Sequence, residues 1–512
     1  MAGPLPPRLP VRPLTLPFDA ITAAVAGALQ TAAFVYTEAW WLQILCAGWL
    51  AWRGTQVGPR RAALVGWLFG TAWLTTGTWW LFISMHRYGG LPSWMAALAV
   101  LALSGVLSLY LAAAMAAFSR WRRGIAALDA LLFGAAWLLA ELARGVILTG
   151  FPWVASGYAH VDGPLAMLAP FVGVYGMGFA AATLGAWAAI SFVQSRRMYT
   201  GIIGTALVLI ACSLWRREFS TPTGTLKVTL LQGNIPQDEK FATDFQAAAL
   251  KWHVDNLVQA RSDLVIAPET AIPFLPQQLP DGFWGGMHAS IDTGHTHALF
   301  GVPLGDDQAG YTNSAMGFTP GIKDEYRYAK HHLVPFGEFI PPGFHWFTRM
   351  MNIPLGDFNR GTLDAPSFVV KGERVAPNIC YEDLFGEELA ARFRDEAAAP
   401  TIFANISNIG WFGETIAVDQ HLNISRLRSL ELQRPMLRAT NTGATAIIDY
   451  RGHVTDSVKP FTRDVLEGQV QGRSGLTPFA WWASRWSLWP LAIFGGLVVG
   501  GFAALRRRNP GD

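Results

Sequence analysis

Cysteine is scarce in this chain: three residues, Cys46, Cys212 and Cys380, among 512. Their wide spacing excludes a disulfide framework and any Cys-x-x-Cys metal pattern. Charge is sparse as well, at 15% of residues, with a formal net charge of +3. The basic residues fall in short clusters rather than along one stripe, so nucleic-acid binding is excluded as a function class. No internal repeat occurs. The one biased tract is the proline-rich first 15 residues, which carry Arg8 and Arg12 and no signal-peptide cleavage pattern, and read as a disordered tail.

What the chain has in excess is apolar sequence, with 51% hydrophobic and 12% aromatic residues. Seven apolar runs precede Trp215, at 18–36, 39–53, 62–85, 92–118, 125–147, 164–193 and 199–215, and an eighth lies at 487–505. They approach or exceed the length of roughly 17 to 25 residues that a membrane crossing requires. Arginines collect in alternate loops: Arg53, Arg60 and Arg61, then Arg120, Arg122 and Arg123, then Arg196 and Arg197, with only Arg87 and Arg144 between them. The positive-inside rule then predicts a cytoplasmic N-terminus, an extracytoplasmic segment after the seventh run, and a return to the cytoplasm before Arg506, Arg507 and Arg508.

Residues 218–475 have a different texture. Strand-like runs at Leu226–Leu231, Leu264–Ala267, Ala298–Val302, Ala376–Ile379, Thr401–Ala404 and Ala444–Ile448, with helical stretches at 242–261, 384–396 and 417–432, indicate a globular α/β domain. The expected organisation is a seven-helix membrane bundle over 1–217, this domain over 218–475, and a last span with a basic tail over 476–512.

Three strand-like runs end on reactive side chains. Val375-Ala-Pro-Asn-Ile-Cys-Tyr-Glu-Asp-Leu384 stops at a thiol, Val265-Ile-Ala-Pro-Glu-Thr270 at a carboxylate, and Tyr328-Ala-Lys-His-His-Leu-Val-Pro-Phe-Gly-Glu338 carries a lysine. Singly, each has a plain reading: a buried small hydrophobe, a solvated acid, a surface lysine. Together they form a device, because a thiol near its reference pKa of about 8.5 needs a base to become a nucleophile. Glu269 is placed to take the proton of Cys380, and Lys330 to stabilise the thiolate and the oxyanion that follows attack on a carbonyl. His331 and His332 point to opposite faces of an extended strand and lack a third ligand, so neither a metal nor another cofactor is expected. Cys46 and Cys212 lie inside apolar runs and read as inert. Glu141 and Arg144, three residues apart, are spaced to pair on one helix face. His86 and Arg87 stand near the outer surface, within reach of a headgroup phosphate or as helix-end anchors.

The order Glu269, Lys330 with Leu333-Val-Pro-Phe-Gly-Glu338, and Cys380-Tyr-Glu382 resembles the nitrilase, or carbon–nitrogen hydrolase, superfamily. Joined to a helical bundle, with Gln232-Gly-Asn234 and Asn405-Ile-Ser-Asn-Ile-Gly-Trp-Phe412, it resembles the membrane-embedded apolipoprotein N-acyltransferase family across nearly the whole chain. The resemblance implies an αββα sandwich with a Glu269–Lys330–Cys380 triad. Glu338 would be a further active-site acid, and Tyr381 and Glu382 would shape the pocket. Phe241 stands where the family pattern leads us to expect tryptophan. Phe339, Trp346 and Trp411 are candidate lipid contacts, the first two in the aromatic stretch 339–351 with Phe344 and Phe347.

The implied reaction passes an acyl chain from a phospholipid, phosphatidylethanolamine in the family, through a Cys380 thioester to the amine of a diacylglyceryl-modified lipoprotein. The implied setting is a monomer in the bacterial inner membrane with its catalytic domain on the periplasmic side. A membrane-tethered hydrolase of soluble amides would use the same three residues. A transporter or sensor would require charged pairs near mid-membrane that the apolar runs barely supply.

Overall fold

The computed structural model describes residues 16–193, 198–215, 217–236, 243–341, 343 and 357–508. Helices occupy each of the eight expected apolar runs. Among the described residues four are long and apolar enough to cross a membrane, Pro17–Val35, Ser93–Trp121, Ala126–Thr149 and Pro164–Val193, or five if the bent pair Pro478–Trp486 and Trp489–Leu505 counts as one span. The helices Trp41–Gln56, Pro59–Gly77 and Met198–Leu214 fall short of that length or apolarity.

Two runs break where side chains capture helix carbonyls. The 62–85 run breaks after helix Pro59–Gly77, where Thr78 Oγ1 donates to Leu74 O (2.7 Å) and Trp80 Nε1 to Gly77 O (3.2 Å); a single helical turn, Leu81–Ile83, and a short π turn, Ser84–Tyr88, follow. The 92–118 run splits into Ser93–Leu107 and Leu109–Trp121 at Ser108, whose Oγ bonds back to Ser104 O (2.6 Å), a contact that bends helices. Close packing elsewhere depends on glycine: a Cβ on Gly48 would stand 2.6 Å from the Gly185 carbonyl oxygen, so helices Trp41–Gln56 and Ala169–Val193 meet backbone to backbone.

Beyond Phe219 the chain builds two six-stranded sheets. The first contains β1 (Ser220–Gln232), β2 (Leu264–Ile266), β3 (His297–Asp306), β4 (Gly310–Phe318), β5 (Tyr326–Ala329) and β12 (Asp464–Gly475), in the order β12-β1-β2-β3-β4-β5. The second contains β6 (Phe368–Val370), β7 (Glu373–Ile379), β8 (Ile402–Ser407), β9 (Met436–Thr440), β10 (Ala446–Ile448) and β11 (Val454–Ser457), in the order β11-β10-β9-β8-β7-β6. Each has three parallel strands at its centre, β1–β2–β3 and β7–β8–β9, flanked by antiparallel neighbours.

The period-two alternation of these strands sorts their side chains between layers. Leu264, Ile266 and Leu299 face Val375, Ile379 and Ile406 across the inter-sheet core. Val265, Ala298 and Phe300 face outward with Leu257, Met287 and Ile291 of helices Thr243–Gln259 and Phe283–Gly294. On the other side Ala376 and Phe403 pack with Leu389, Leu432 and Phe479, from helices Gly386–Ala391, Ala417–Leu432 and Pro478–Trp486. The result is a four-layer αββα sandwich. The helix expected over 384–396 is only Gly386–Ala391, since Asp395 Oδ1 accepts from Ala397 N (3.0 Å) and turns the chain ahead of Pro400.

Bundle and sandwich share one apolar core, in which Trp73, Trp80, Trp137 and Trp153 continue into Tyr381, Leu384, Val418 and Leu427. At its centre Gln420 accepts from Trp153 Nε1 (2.8 Å) and Trp80 Nε1 (3.1 Å) and donates to Gly77 O (3.0 Å). A buried amide with both ends satisfied fixes the docking of helix Ala417–Leu432 against the bundle.

Candidate active site

The three reactive side chains stand on three corners at the same end of the sandwich. Glu269 follows β2, where the corner lies on β3: Gly301 N donates to Pro268 O (3.2 Å), and a Cβ on Gly301 would come within 2.6 Å of Glu269 Cα. Only glycine permits that approach. Lys330 follows β5, its N–H donating to Asn313 O of β4 (2.8 Å). Cys380 ends β7 with φ at +52°, in the left-handed region that is strained for a residue with a Cβ. The elbow is held by its carbonyl, which accepts from Asn405 Nδ2 (3.2 Å) and lies 3.3 Å from His421 Nε2.

The charges converge. Lys330 Nζ, 1% exposed, lies 2.9 Å from Glu338 Oε1 and 3.7 Å from Glu269 Oε1. Asn313 Nδ2 bridges the same two oxygens at 2.7 Å and 2.6 Å. The other oxygen of Glu269 accepts from Asn408 N (2.9 Å), and that of Glu338 from Val334 N (2.8 Å). Burial works against the Lys330 ammonium, but Glu338, Glu269 and Cys380 outweigh it and hold the pKa above the ordinary lysine value. Burial also pushes the Cys380 thiol well above its ordinary range; Glu269 adds to that rise and Lys330 opposes it. A thiol so raised stays protonated until a base removes its proton in the reaction itself, and Glu269 is the carboxylate acting most strongly on it. The fixed ammonium beside it suits an oxyanion.

Of the remaining expected residues, Glu338 joins the centre and Glu382 does not. Glu382 is buried and accepts from Ile379 N (2.6 Å), His331 N (2.7 Å) and His332 N (3.2 Å), and from the Tyr328 hydroxyl at 2.8 Å. It ties the nucleophile elbow to the lysine loop. Tyr381 reaches the bundle, its hydroxyl donating to Gly150 O (3.1 Å). Phe339 is half-buried under the Arg360 guanidinium, 5.2 Å from its ring centre. Trp411 is 36% exposed and meets Tyr88 edge-on at 5.5 Å. Phe241, Phe344, Trp346 and Phe347 lie outside the described residues. His331 Nδ1 bonds Gly361 O (2.7 Å) and His332 Nδ1 pairs with Glu388 (2.9 Å). Cys46 and Cys212 are buried in the helices.

Sequence reasoning missed Asn313 and the backbone of Asn408, which orient both acids. Asn313 sits mid-strand in Gly310-Tyr-Thr-Asn-Ser314, a stretch with turn-like composition. Also missed was a buried network behind the elbow: Asp383 Oδ1 lies 2.9 Å from His421 Nε2, while its Oδ2 accepts from Ser425 and, at 3.2 Å, from Arg438.

With this geometry in hand, comparison with known proteins is informative. Residues 26–187 match the apolipoprotein N-acyltransferase N-terminal domain and residues 227–478 the carbon–nitrogen hydrolase family. The chain is 52% identical over 505 residues to the apolipoprotein N-acyltransferase of Verminephrobacter eiseniae, covering 91% of this chain and 92% of that one. It is 48% identical over 499 residues to that of Ralstonia nicotianae (96% and 94% covered), and 41% identical over 536 residues to that of Bordetella bronchiseptica (95% and 96% covered). A carbon–nitrogen hydrolase sandwich fused to a helical membrane part, matched nearly end to end by these relatives, means that the chain belongs to the apolipoprotein N-acyltransferase family.

Proposed function

We propose that the protein N-acylates the N-terminal diacylglyceryl-cysteine of apolipoproteins by a two-step transfer through a thioester on Cys380. Family membership carries the activity class, lipoprotein N-acylation by an acyltransferase. The observation that supports the mechanism is the shared ammonium: Lys330 lies between Glu338 and Glu269 and within electrostatic reach of the thiol.

In the first step Sγ of Cys380 attacks an ester carbonyl of a phospholipid while Glu269 takes the thiol proton. Lys330 stabilises the tetrahedral oxyanion. Collapse expels the lysophospholipid alkoxide, which recovers the proton from Glu269, and the acyl chain stays on sulfur. In the second step the acceptor's amine attacks the thioester, gives a proton to Glu269, and the departing thiolate takes it back. Water would intercept the thioester, so the reaction requires a site closed to bulk solvent.

The domain limits we propose are 1–217 for the membrane bundle, 218–475 for the sandwich and 476–512 for the last span and tail. The finer membrane reading is eight crossings, with the sandwich on the periplasmic face of the bacterial inner membrane, acting as a monomer with phosphatidylethanolamine as donor. Substrates whose tails are anchored in lipid require a catalytic centre at the bilayer surface.

The test is intact-mass analysis of the purified chain after exposure to a phospholipid carrying isotopically labelled acyl chains. A labelled fatty-acyl mass on Cys380, discharged by a lipopeptide with a free N-terminal amine, is the expected result. Cleavage of small amides with no acyl adduct would establish the hydrolase reading instead.

A further inference from the structure

A cleft of about 920 Å³ opens away from the triad. It opens between the short helix Gly386–Ala391, the end of helix Ala126–Val146 and the bent pair Pro478–Trp486 and Trp489–Leu505, whose axes differ by 88°. Such a bend turns a surface-lying helix into a spanning one, and Trp481, Trp486 and Trp489 at that corner are of the type that sits at headgroup level. The volume suits a phospholipid headgroup with its glycerol.

The lining has three chemically distinct zones. On the floor lie Glu387 and Glu388, adjacent in sequence and both turned into the cleft. Glu387 makes no ion pair among the described residues, and burial followed by the charge of Glu388 pushes it up to about 7. Burial likewise pushes Glu388 up to about 7, with His331 and Arg360 opposing the rise as Arg428 does at Glu387. His332, 5% exposed and stacked on Phe385 at 3.5 Å, closes the inner end. Its Nδ1 lies 2.9 Å from Glu388 Oε1, whereas its Nε2 meets no partner at hydrogen-bonding geometry, although the Thr149 carbonyl is near enough to act on its charge. At the rim Arg394 and Arg485 donate only to carbonyl and hydroxyl oxygens, Ser484 O, Trp481 O and Ser484 Oγ, and neither is paired with a carboxylate among the described residues. The outer wall is apolar and open, with Trp489 70% and Ile493 56% exposed along the spanning helix.

Two carboxylates on the floor, two cations at the rim and an alkyl-lined exit match one class of molecule. We propose that the cleft is a binding site for a phospholipid bearing a primary ammonium, with its amine on Glu387 and Glu388, its phosphate on Arg394 and Arg485, and its chains along Trp489 and Ile493. A primary ammonium has three N–H donors to meet those acceptors, whereas a quaternary one has none, and a glycerol headgroup has no charge to meet the carboxylates. Because His332 lies on the loop that carries Lys330, and Glu382 ties that loop to the nucleophile elbow, a lipid seated here braces the active site from behind. The inference rests on the membrane reading proposed above and not on the thioester.

Native mass spectrometry of the full chain in detergent, titrated separately with phosphatidylethanolamine, phosphatidylcholine and phosphatidylglycerol of the same chains, tests it. The wild type should retain the ethanolamine lipid about tenfold more tightly than the other two, the scale of one lost charge-assisted hydrogen bond. Glu387→Gln with Glu388→Gln should erase that preference, and Arg394→Ala with Arg485→Ala should weaken all three lipids alike. If the double glutamate variant fails to fold, Glu387→Gln alone, which breaks no ion pair, takes its place and should reduce the preference. Equal retention of the three lipids by the wild type, or a preference that survives the glutamate changes, would overturn the proposal. Cys380 acylation followed in the same samples separates the two readings: acylation without headgroup preference removes this inference alone, and no acylation from any donor removes the function proposed above.

Discussion

The bundle and the catalytic centre of the sandwich both bury charge, and they do it in opposite ways. In the bundle Asp19, 1% exposed, takes Arg53 through both oxygens at 2.7 Å and 2.8 Å and Arg61 at 2.6 Å. Glu141 is likewise closed by Ser156 N (2.7 Å) and Oγ (2.8 Å), with Arg144 at 3.6 Å. In the sandwich one ammonium, Lys330, is divided between two carboxylates, and the Cys380 thiol beside it takes no hydrogen bond among the described residues. A closed set of charges holds helices in place. A set with a proton still to be moved performs a reaction.

The sharpest way to break this contrast is at the sulfur. Cys380→Ala should leave the protein folded and membrane-inserted while removing acyl-enzyme formation, on the order of 10⁶-fold in rate, as read by the intact mass after exposure to phospholipid. Cys46→Ala and Cys212→Ala should keep most activity, and equal loss in all three would mean that structure rather than chemistry failed. Next in size, Glu269→Gln should slow the first acylation by roughly 10²- to 10⁴-fold, seen as loss of the burst; a normal burst would take the role of base away from Glu269.

The contrast is sharpened from the bundle side by Asp19→Asn, which strands Arg53 in a buried setting. It should cost about 3–5 kcal/mol of stability in a detergent melt while the acylation rate per folded molecule stays unchanged. A fall in rate with an unchanged melt would reverse the assignment.

The smallest effect concerns pH. Glu387 and Glu388 both sit at about 7, above the ordinary glutamate value of 4.5, so the folded chain holds protons that the unfolded chain has released. Their ionisation therefore opposes folding: stability is highest below the ordinary value, declines as pH rises towards 7, and levels off above it. Denaturation midpoints measured across that window should fall less steeply in the Glu387→Gln, Glu388→Gln variant than in the wild type.

Much of the centre was legible because each triad residue ends an apolar run, and strand ends are where a sandwich gathers its side chains. The strands β1, β2, β3, β7, β8 and β10 and the helix Ala417–Leu432 announced themselves by periodicity in the same way. What stayed hidden depends on contacts between distant segments. Nothing in the neighbourhood of Asn313 signals that its amide will bridge Glu269 and Glu338. The resemblance gives Glu382 a part in shaping the pocket, but nothing in its own neighbourhood signals that its oxygens will be occupied by backbone N–H groups from two corners and by Tyr328. Strands β4, β5, β9 and β12 are polar or turn-like in composition and borrow their order from neighbours, so their pattern alone is weak.

Gln420 and His421 are consecutive residues with divided duties, the first clasped by two bundle tryptophans and the second steadying the carbonyl of the nucleophile. The hydrophobic helices are thus more than a tether: they form one jaw of the vice that keeps the sulfur on its perch. Severing the soluble half from its anchor would loosen that grip, so a water-soluble fragment should keep its sheets and lose its chemistry.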